Sequence, residues 1–400
     1  MSYTPTDWKT GDVITADKLN NIEDGVMNIL NGPSYTPTDW KTGDVITADK
    51  LNNIEYGILN AKIQEDGLVT RTLTEYENSR VTSVGPNAFT GFNTLTDVSL
   101  PIAETIGAGA FGTCGSLTSI FIPQATSIGN SAFQYCSALT SVSFSQVTSI
   151  GEWAFSNCHA LTNVDFKEAT TIGRGAFQYC SVLASVSFPQ AASIGSYAFQ
   201  NCFALVTVSF PEATYVGEGV FSYCSALTTA SFPQVTSIGN SVFYNCSKLT
   251  NVYFPKTKKI GTGAFANCSA ITTIAFPEVE NISNVAFQGC RALATVSLPE
   301  VTSFGGGAFL SCVSIATLSF PKATNIGPGA FEGCVNLLSL YLTGSSVATL
   351  ENSNAFLSTP IGGNLTVTGN WGSIYVPASL IDSYKTATNW SAFSMRFVSI

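Results

Sequence analysis

Hydrophobic positions return along most of this chain at one fixed interval. A phenylalanine recurs every 22 residues from Phe89 to Phe331, twelve times without an insertion. Counting from this Phe, position −5 is Ile, Val or Phe, and −4 is Gly in every copy but one, where Ser283 stands. Position +3 is Cys except for Phe92, and +6 is Leu or Ile. Position +9 is Val, Ile or Leu except for Ala230, and +11 is Phe, Leu or Ile. Pro follows at +12 in nine copies. One unit, IGNSAFQYCSALTSVSFSQVTS, runs from Ile128 to Ser149.

A repeat of this length marks a solenoid, in which each coil buries its apolar residues only against its neighbours. The stretch LTSVSF is β-branched and aromatic and predicts a short strand. Pro at +12 ends it, because Pro cannot donate to a ladder. Gly at −4 is expected to supply a tight bend or a left-handed backbone. The Ala-Phe pair after it is expected on a turn or short helix. Stacked coils pair their strands in parallel, ~4.8 Å apart. The open ends then need caps.

The pattern L-x-x-V-x-F-P followed by I-G-x-x-A-F-x-x-C resembles the BspA-like class of leucine-rich repeats, over about residues 70–345. The resemblance implies a mostly β solenoid of twelve 22-residue coils. The expected organisation is an N-terminal module at 1–62, a linker and cap at 63–81, the solenoid at 82–342 and an α+β capping unit at 343–400.

The N-terminal module is a duplication. Residues 2–23 and 34–55 both read SYTPTDWKTGDVITADKLNNIE, and the two copies are taken as 2–30 and 34–62. The first half of each is rich in turn formers and predicts an extended arm. Thr15 can cap a helix carrying Leu19, Ile22, Val26 and Ile29 on one stripe. The second copy offers Leu51, Ile54, Ile58 and Ala61. Each stripe is too short for a stable isolated coiled coil, so these helices must dock on something. The motif W-K-T-G-D-V-I-T-A-D-K-L-N-N-I-E-x-G resembles the N-terminal module of head and tail fibre proteins from phages of Gram-positive bacteria. That resemblance implies attachment to a virion, with Trp8, Leu19, Ile22, Trp40, Leu51 and Ile54 as candidate anchors. A cap on the solenoid and a self-contained helical pair are the alternatives for this segment.

After Leu342 the frame breaks, and Ala355-Phe356 comes 25 residues after the previous pair. Val376-Pro377 is expected to open a helix with Leu380, Ile381 and Tyr384 on one face. Trp390 and Phe393 extend the apolar set. The whole segment resembles the terminal units found after BspA-like arrays.

Charge narrows the partners. Only 11% of residues are charged and the net charge is −9, which argues against nucleic acid and anionic membranes. No apolar run approaches the ~18 residues of a membrane span. The N-terminus shows no basic segment leading into an apolar one, so no signal peptide is expected. A virion protein needs none, because lysis releases it.

Candidate chemistry is sparse. Cys158 is followed by the only histidine, His159, a pair that suggests a nucleophile with its base or a metal site. The eleven cysteines, however, lie 22 apart from Cys114 to Cys334, which is no disulfide framework and no zinc site. They are expected to be small, buried, reduced side chains. His159 at +4 falls in a variable, surface-like slot. Glu278 and Glu300 fall in one column in adjacent coils, a spacing compatible with a retaining glycosidase. Lys256 and Lys322 flank them in that column, which reads as a surface charge ladder. The chain is therefore read as no enzyme, with no cofactor and no metal.

Two groups of residues remain as candidate binding sites. Trp153 and Tyr197 share position −2 with Gly175 between them, and His159 and Phe203 share +4 with Ser181 between them. Each pair is expected to flank an open slot. Phe121, Tyr253 and Tyr341 interrupt an otherwise Ser/Thr-rich strand face, which suits water, a sister chain or a glycan. The resemblances together imply a phage fibre or decoration protein on the capsid or tail exterior. It would meet other virion proteins through its N-terminus and a host surface glycan or protein through the solenoid. A homo-oligomer, such as a trimer, fits this reading. A bacterial cell-surface leucine-rich repeat adhesin and a purely structural spacer are the alternatives.

Overall fold

A computed structural model describes residues 74–79, 81–363 and 371–400, all within the unit Thr74–Ile400. The 22-residue period becomes a parallel β-solenoid. Three-residue strands stack in register, as where Val164 of Asn163–Asp165 faces Val186 of Ser185–Ser187. The strand is shorter than the LTSVSF stretch. It stops before the inward Phe188, and Pro189 follows. A second column of two-residue strands was not foreseen. Ser149–Ile150 pairs with Thr171–Ile172, and the Ile of each turns inward.

The interior is a set of side-chain ladders. Phe155 and Phe177 stack at 5.2 Å and 4°. Phe166 and Phe188, from position +11, stack at 5.6 Å and 7°. Phe155 also meets Phe166 within its coil at 6.0 Å. Offset parallel rings of this kind add to what burial alone contributes.

The glycine at −4 does a different job from the one expected. Its φ is not positive in any coil. Instead, a Cβ on Gly173 would lie 2.5 Å from the Gly151 carbonyl carbon and 2.6 Å from the Glu152 nitrogen. The missing side chain lets one backbone rest on the next. The left-handed residues sit two places before and two places after the central Phe. Trp153, Gly175 and Tyr197 have φ of 53°, 58° and 62°, and Asn157, Tyr179 and Asn201 have 63°, 62° and 61°. These residues turn the Ala-Phe segment into a turn rather than a helix. They also aim alternate peptides along the solenoid. The N–H groups of Trp153, Phe155 and Asn157 donate to the carbonyls of Arg174, Ala176 and Gln178 in the next coil, at 2.7–2.8 Å.

Strands continue beyond the twelve Phe coils at both ends. Glu75–Glu77 pairs with Asp97–Ser99, and the Tyr76 ring lies 5.0 Å from Phe89. At the other end Ser339–Tyr341 pairs with Ser373–Val376, which pairs with Phe397–Ser399. Val376 thus ends a strand instead of opening a helix, because the residue before a proline is pushed into extended backbone. The helix itself is Ile381–Thr386; Tyr384 is buried, while Leu380 and Ile381 are only half-buried. The 3-10 turn Ser353–Phe356 sets Phe356 on Phe331 at 5.6 Å. Trp390 and Phe393 then cover Phe356, at 5.9 and 5.2 Å.

Candidate functional site

The Cys158–His159 pair separates in space. Cys158 is fully buried, and its Sγ donates to the Phe133 carbonyl at 3.2 Å. Burial, with the neighbouring thiols Cys180 and Cys136, pushes it well above an ordinary thiol, the reverse of what a nucleophile needs. His159 is exposed, with Nδ1 3.0 Å from the Tyr179 carbonyl oxygen. Among the described residues, no three His, Cys, Asp or Glu side chains cluster as metal ligands would. No described helix is long and apolar enough to cross a membrane.

The carboxylate column is a charge ladder. Glu300 pairs with Lys322 at 2.5 Å, and Lys256 donates to Gln234 at 2.6 Å. Much of the Ser/Thr stripe serves the backbone. The hydroxyls of Thr118, Thr140 and Thr162 each donate to a carbonyl one coil back, at 3.0–3.3 Å. On that strand face Phe121 and Tyr253 are exposed and lie six coils apart. Tyr341 stacks on Tyr375 at 4.4 Å, a partner that the sequence frame did not contain.

The turn face holds the densest group of unburied rings. The expected slot between Trp153 and Tyr197 is closed rather than open. A Cβ on Gly175 would fall 2.5 Å from the Trp153 ring, and one on Gly219 would fall 2.7 Å from the Tyr197 ring. Each ring lies down over the glycine of the following coil. Arg174 sits between them, its guanidinium 5.7 Å from the Trp153 ring and 5.5 Å from the Tyr197 ring. A hydrogen bond to Glu218 raises the Tyr197 hydroxyl above its usual pKa. Phe203, at the slot of His159 two coils on, is 47% exposed.

Three further tyrosines complete this face. Tyr135, Tyr179 and Tyr223 occupy +2 in the intervening coils and are 51%, 43% and 41% exposed. Tyr244 packs edge-on against Tyr223 at 5.4 Å. The signal was legible: column +2 reads Tyr, Asn, Tyr, Asn, Tyr, Asn from Tyr135 to Asn245. Coils three to seven thus alternate rings at +2 with rings at −2 and +4. A separate shallow groove follows the short strands. It opens where their ladder breaks between Val216 and Ser237, and Tyr215, Glu218 and Lys259 line it. The candidate anchors Trp8, Leu19, Ile22, Trp40, Leu51 and Ile54 lie outside the described residues.

Residues 70–182, 160–272 and 258–375 match the model of the BspA type leucine rich repeat region. A leucine-rich repeat protein from Bacteroides ovatus shares the fold at 24% identity and TM-score 0.59, over 80% of this chain and 88% of that one. A leucine rich cell surface protein from Faecalibacterium prausnitzii matches at 23% identity and TM-score 0.45, over 79% and 97%. No curated protein matches the chain.

Proposed function

This chain belongs to the BspA-type leucine-rich repeat family, and from that premise we propose that it is a non-enzymatic recognition solenoid displayed on a phage particle. The turn face of coils three to seven binds the host surface. One observation carries this reading. Trp153, Tyr197, Tyr135, Tyr179 and Tyr223 hold left-handed backbone, which bulky L-residues adopt at a cost, while the other coils place Gly, Asn or Ser there except at Thr113 and Val285. Strained, half-exposed aromatics that the core does not use point to binding.

Attachment to the particle rests on the duplicated N-terminal module and its resemblance to phage fibre modules. Two copies raise avidity through effective concentration. Deleting residues 1–62 tests this: the shortened solenoid is expected to stay folded and to be missing from purified particles. Its continued incorporation would defeat the anchoring role.

A second reading, a leucine-rich repeat adhesin on a bacterial surface, is favoured by the extent of the family match. That match spans residues 70–375, whereas the phage resemblance covers about 25 residues per copy. Peptides of this chain in purified particles support the first reading. Their confinement to cell-surface fractions supports the second.

A further inference from the structure

We propose that Tyr135, Tyr179 and Tyr223 form a stacking rail for an extended β-1,4-linked polysaccharide chain lying along the solenoid axis. This inference deepens the reading of the turn face as a recognition surface and rests on it.

The rail follows from register. All three tyrosines occupy the same position in a parallel stack, with φ of 63°, 62° and 64°. They are separated by two coils each, so successive rings stand about 10 Å apart. An extended β-1,4-linked pyranose chain advances by about one coil rise per sugar. Its two-fold twist returns the same sugar face to the same side at every second unit. Rings at every second coil therefore meet equivalent faces of alternate sugars. The C–H face of a sugar stacks on an aromatic ring as an apolar surface does.

The residues between the rings supply the polar half of such a site. Asn157 and Asn201 stand at +2 in the intervening coils, one sugar along from each tyrosine, with carboxamides that can serve ring hydroxyls. Beside them Gln178 donates to Gln200 at 2.5 Å, and Gln200 to Ser222 at 2.9 Å. His159 in the preceding coil bonds the backbone carbonyl oxygen of Tyr179 at 3.0 Å. Tyr223 is braced by Tyr244. The geometry favours a glycan over a folded protein, because a protein partner has no reason to repeat at a two-coil pitch.

The fold requires none of these tyrosines. Asn occupies the same left-handed position in the coils between them, and Asn tolerates that backbone better than Tyr does. The variants Tyr135→Asn, Tyr179→Asn and Tyr223→Asn therefore keep the coil and remove only the ring.

The test titrates the full chain with a dimer, a tetramer and a hexamer of β-1,4-linked N-acetylglucosamine and of β-1,4-linked glucose, with an α-1,4-linked glucan as control. Affinity is expected to rise with length as successive tyrosines engage. The triple variant is expected to melt no lower than the parent and to bind the hexamer about tenfold or more weakly. Equal binding by the triple variant, or no binding of any β-1,4-linked hexamer by the parent, overturns the glycan assignment. Host-cell binding by the same proteins separates the two claims. If the triple variant loses cells while the parent binds no oligosaccharide, the recognition reading stands and the glycan inference falls. If cell binding is unchanged in the triple variant and in a Trp153→Gly, Tyr197→Gly double variant, the recognition reading falls as well.

Discussion

The thiol of Cys180 donates to the carbonyl oxygen of Phe155, 3.2 Å away in the preceding coil. The same oxygen accepts the N–H of Cys158 in its own coil. The contact repeats from Cys114 to Cys334, at 2.9–3.2 Å. Cysteine is therefore more than a small apolar filler here, since it supplies the second hydrogen bond to each Phe carbonyl. The first coil follows no Phe coil, and there Phe92 takes the place of cysteine.

This ladder predicts a stability that fades in alkali. Burial pushes the thiols of Cys180, Cys224, Cys290 and Cys334 from 9.0 up to about 12. Their folded pKa lies above the unfolded one, so the protonated ladder stabilises the fold fully below the unfolded pKa. That contribution is lost as pH rises through the window from about 9 to about 12. Denaturation midpoints measured from neutral pH upward are expected to fall across this window. Thiol alkylation of native protein at pH 8 should be negligible, with reaction of all the cysteines on unfolding. Rapid labelling of native protein would contradict the ladder.

Clearance between coils predicts a sharp contrast between two glycines. Gly173→Ala places a Cβ against the Gly151 backbone, which cannot move without separating the coils. A loss of roughly 2–4 kcal/mol is expected, as for other overpacked sites. Gly175→Ala meets only the Trp153 ring, which can swing outward, so its cost is chiefly the positive φ, about 1 kcal/mol. Chemical denaturation of the two variants side by side checks the order.

The solenoid's periodicity and its inward residues were legible in the sequence, because twelve coils repeat the same burial. The role of the −4 glycine was not. A glycine in a sequence does not reveal whether its missing Cβ serves a torsion or a close approach. The left-handed positions were hidden by their occupants, since Trp153, Tyr197 and Val285 are poor advertisements for positive φ. The slot beside Gly175 was misread for a related reason. A small residue suggests a gap, but a ring from the coil below lies over it. The two-residue strands were too short to register as β pattern. The Tyr/Asn alternation at +2 was visible in the sequence, but alternation within one column does not say whether its side chains face inward or outward.

The C-terminal residues predict how the stack frays. Trp390 covers Phe356 and donates through Nε1 to the Ala348 carbonyl at 2.6 Å. Trp390→Ala is expected to cost about 3–5 kcal/mol locally. In a stack of nearest-neighbour contacts, that loss stays near the end. Hydrogen exchange should show early opening around Phe331 and Phe356, with protection retained near Phe177. Uniform loss of protection along the solenoid would show that the coils unfold as one unit.

The most direct test of the turn face as a recognition surface is binding of the purified full chain to host cells, compared with the Trp153→Gly, Tyr197→Gly variant. Glycine already occupies position −2 at Gly175 and Gly219, so the variant should melt at the parent's temperature or above it. The account predicts that cell binding drops by about tenfold or more in this folded variant, the loss of roughly 1.4 kcal/mol or more of contact energy. Parent-level binding by the folded variant would contradict it.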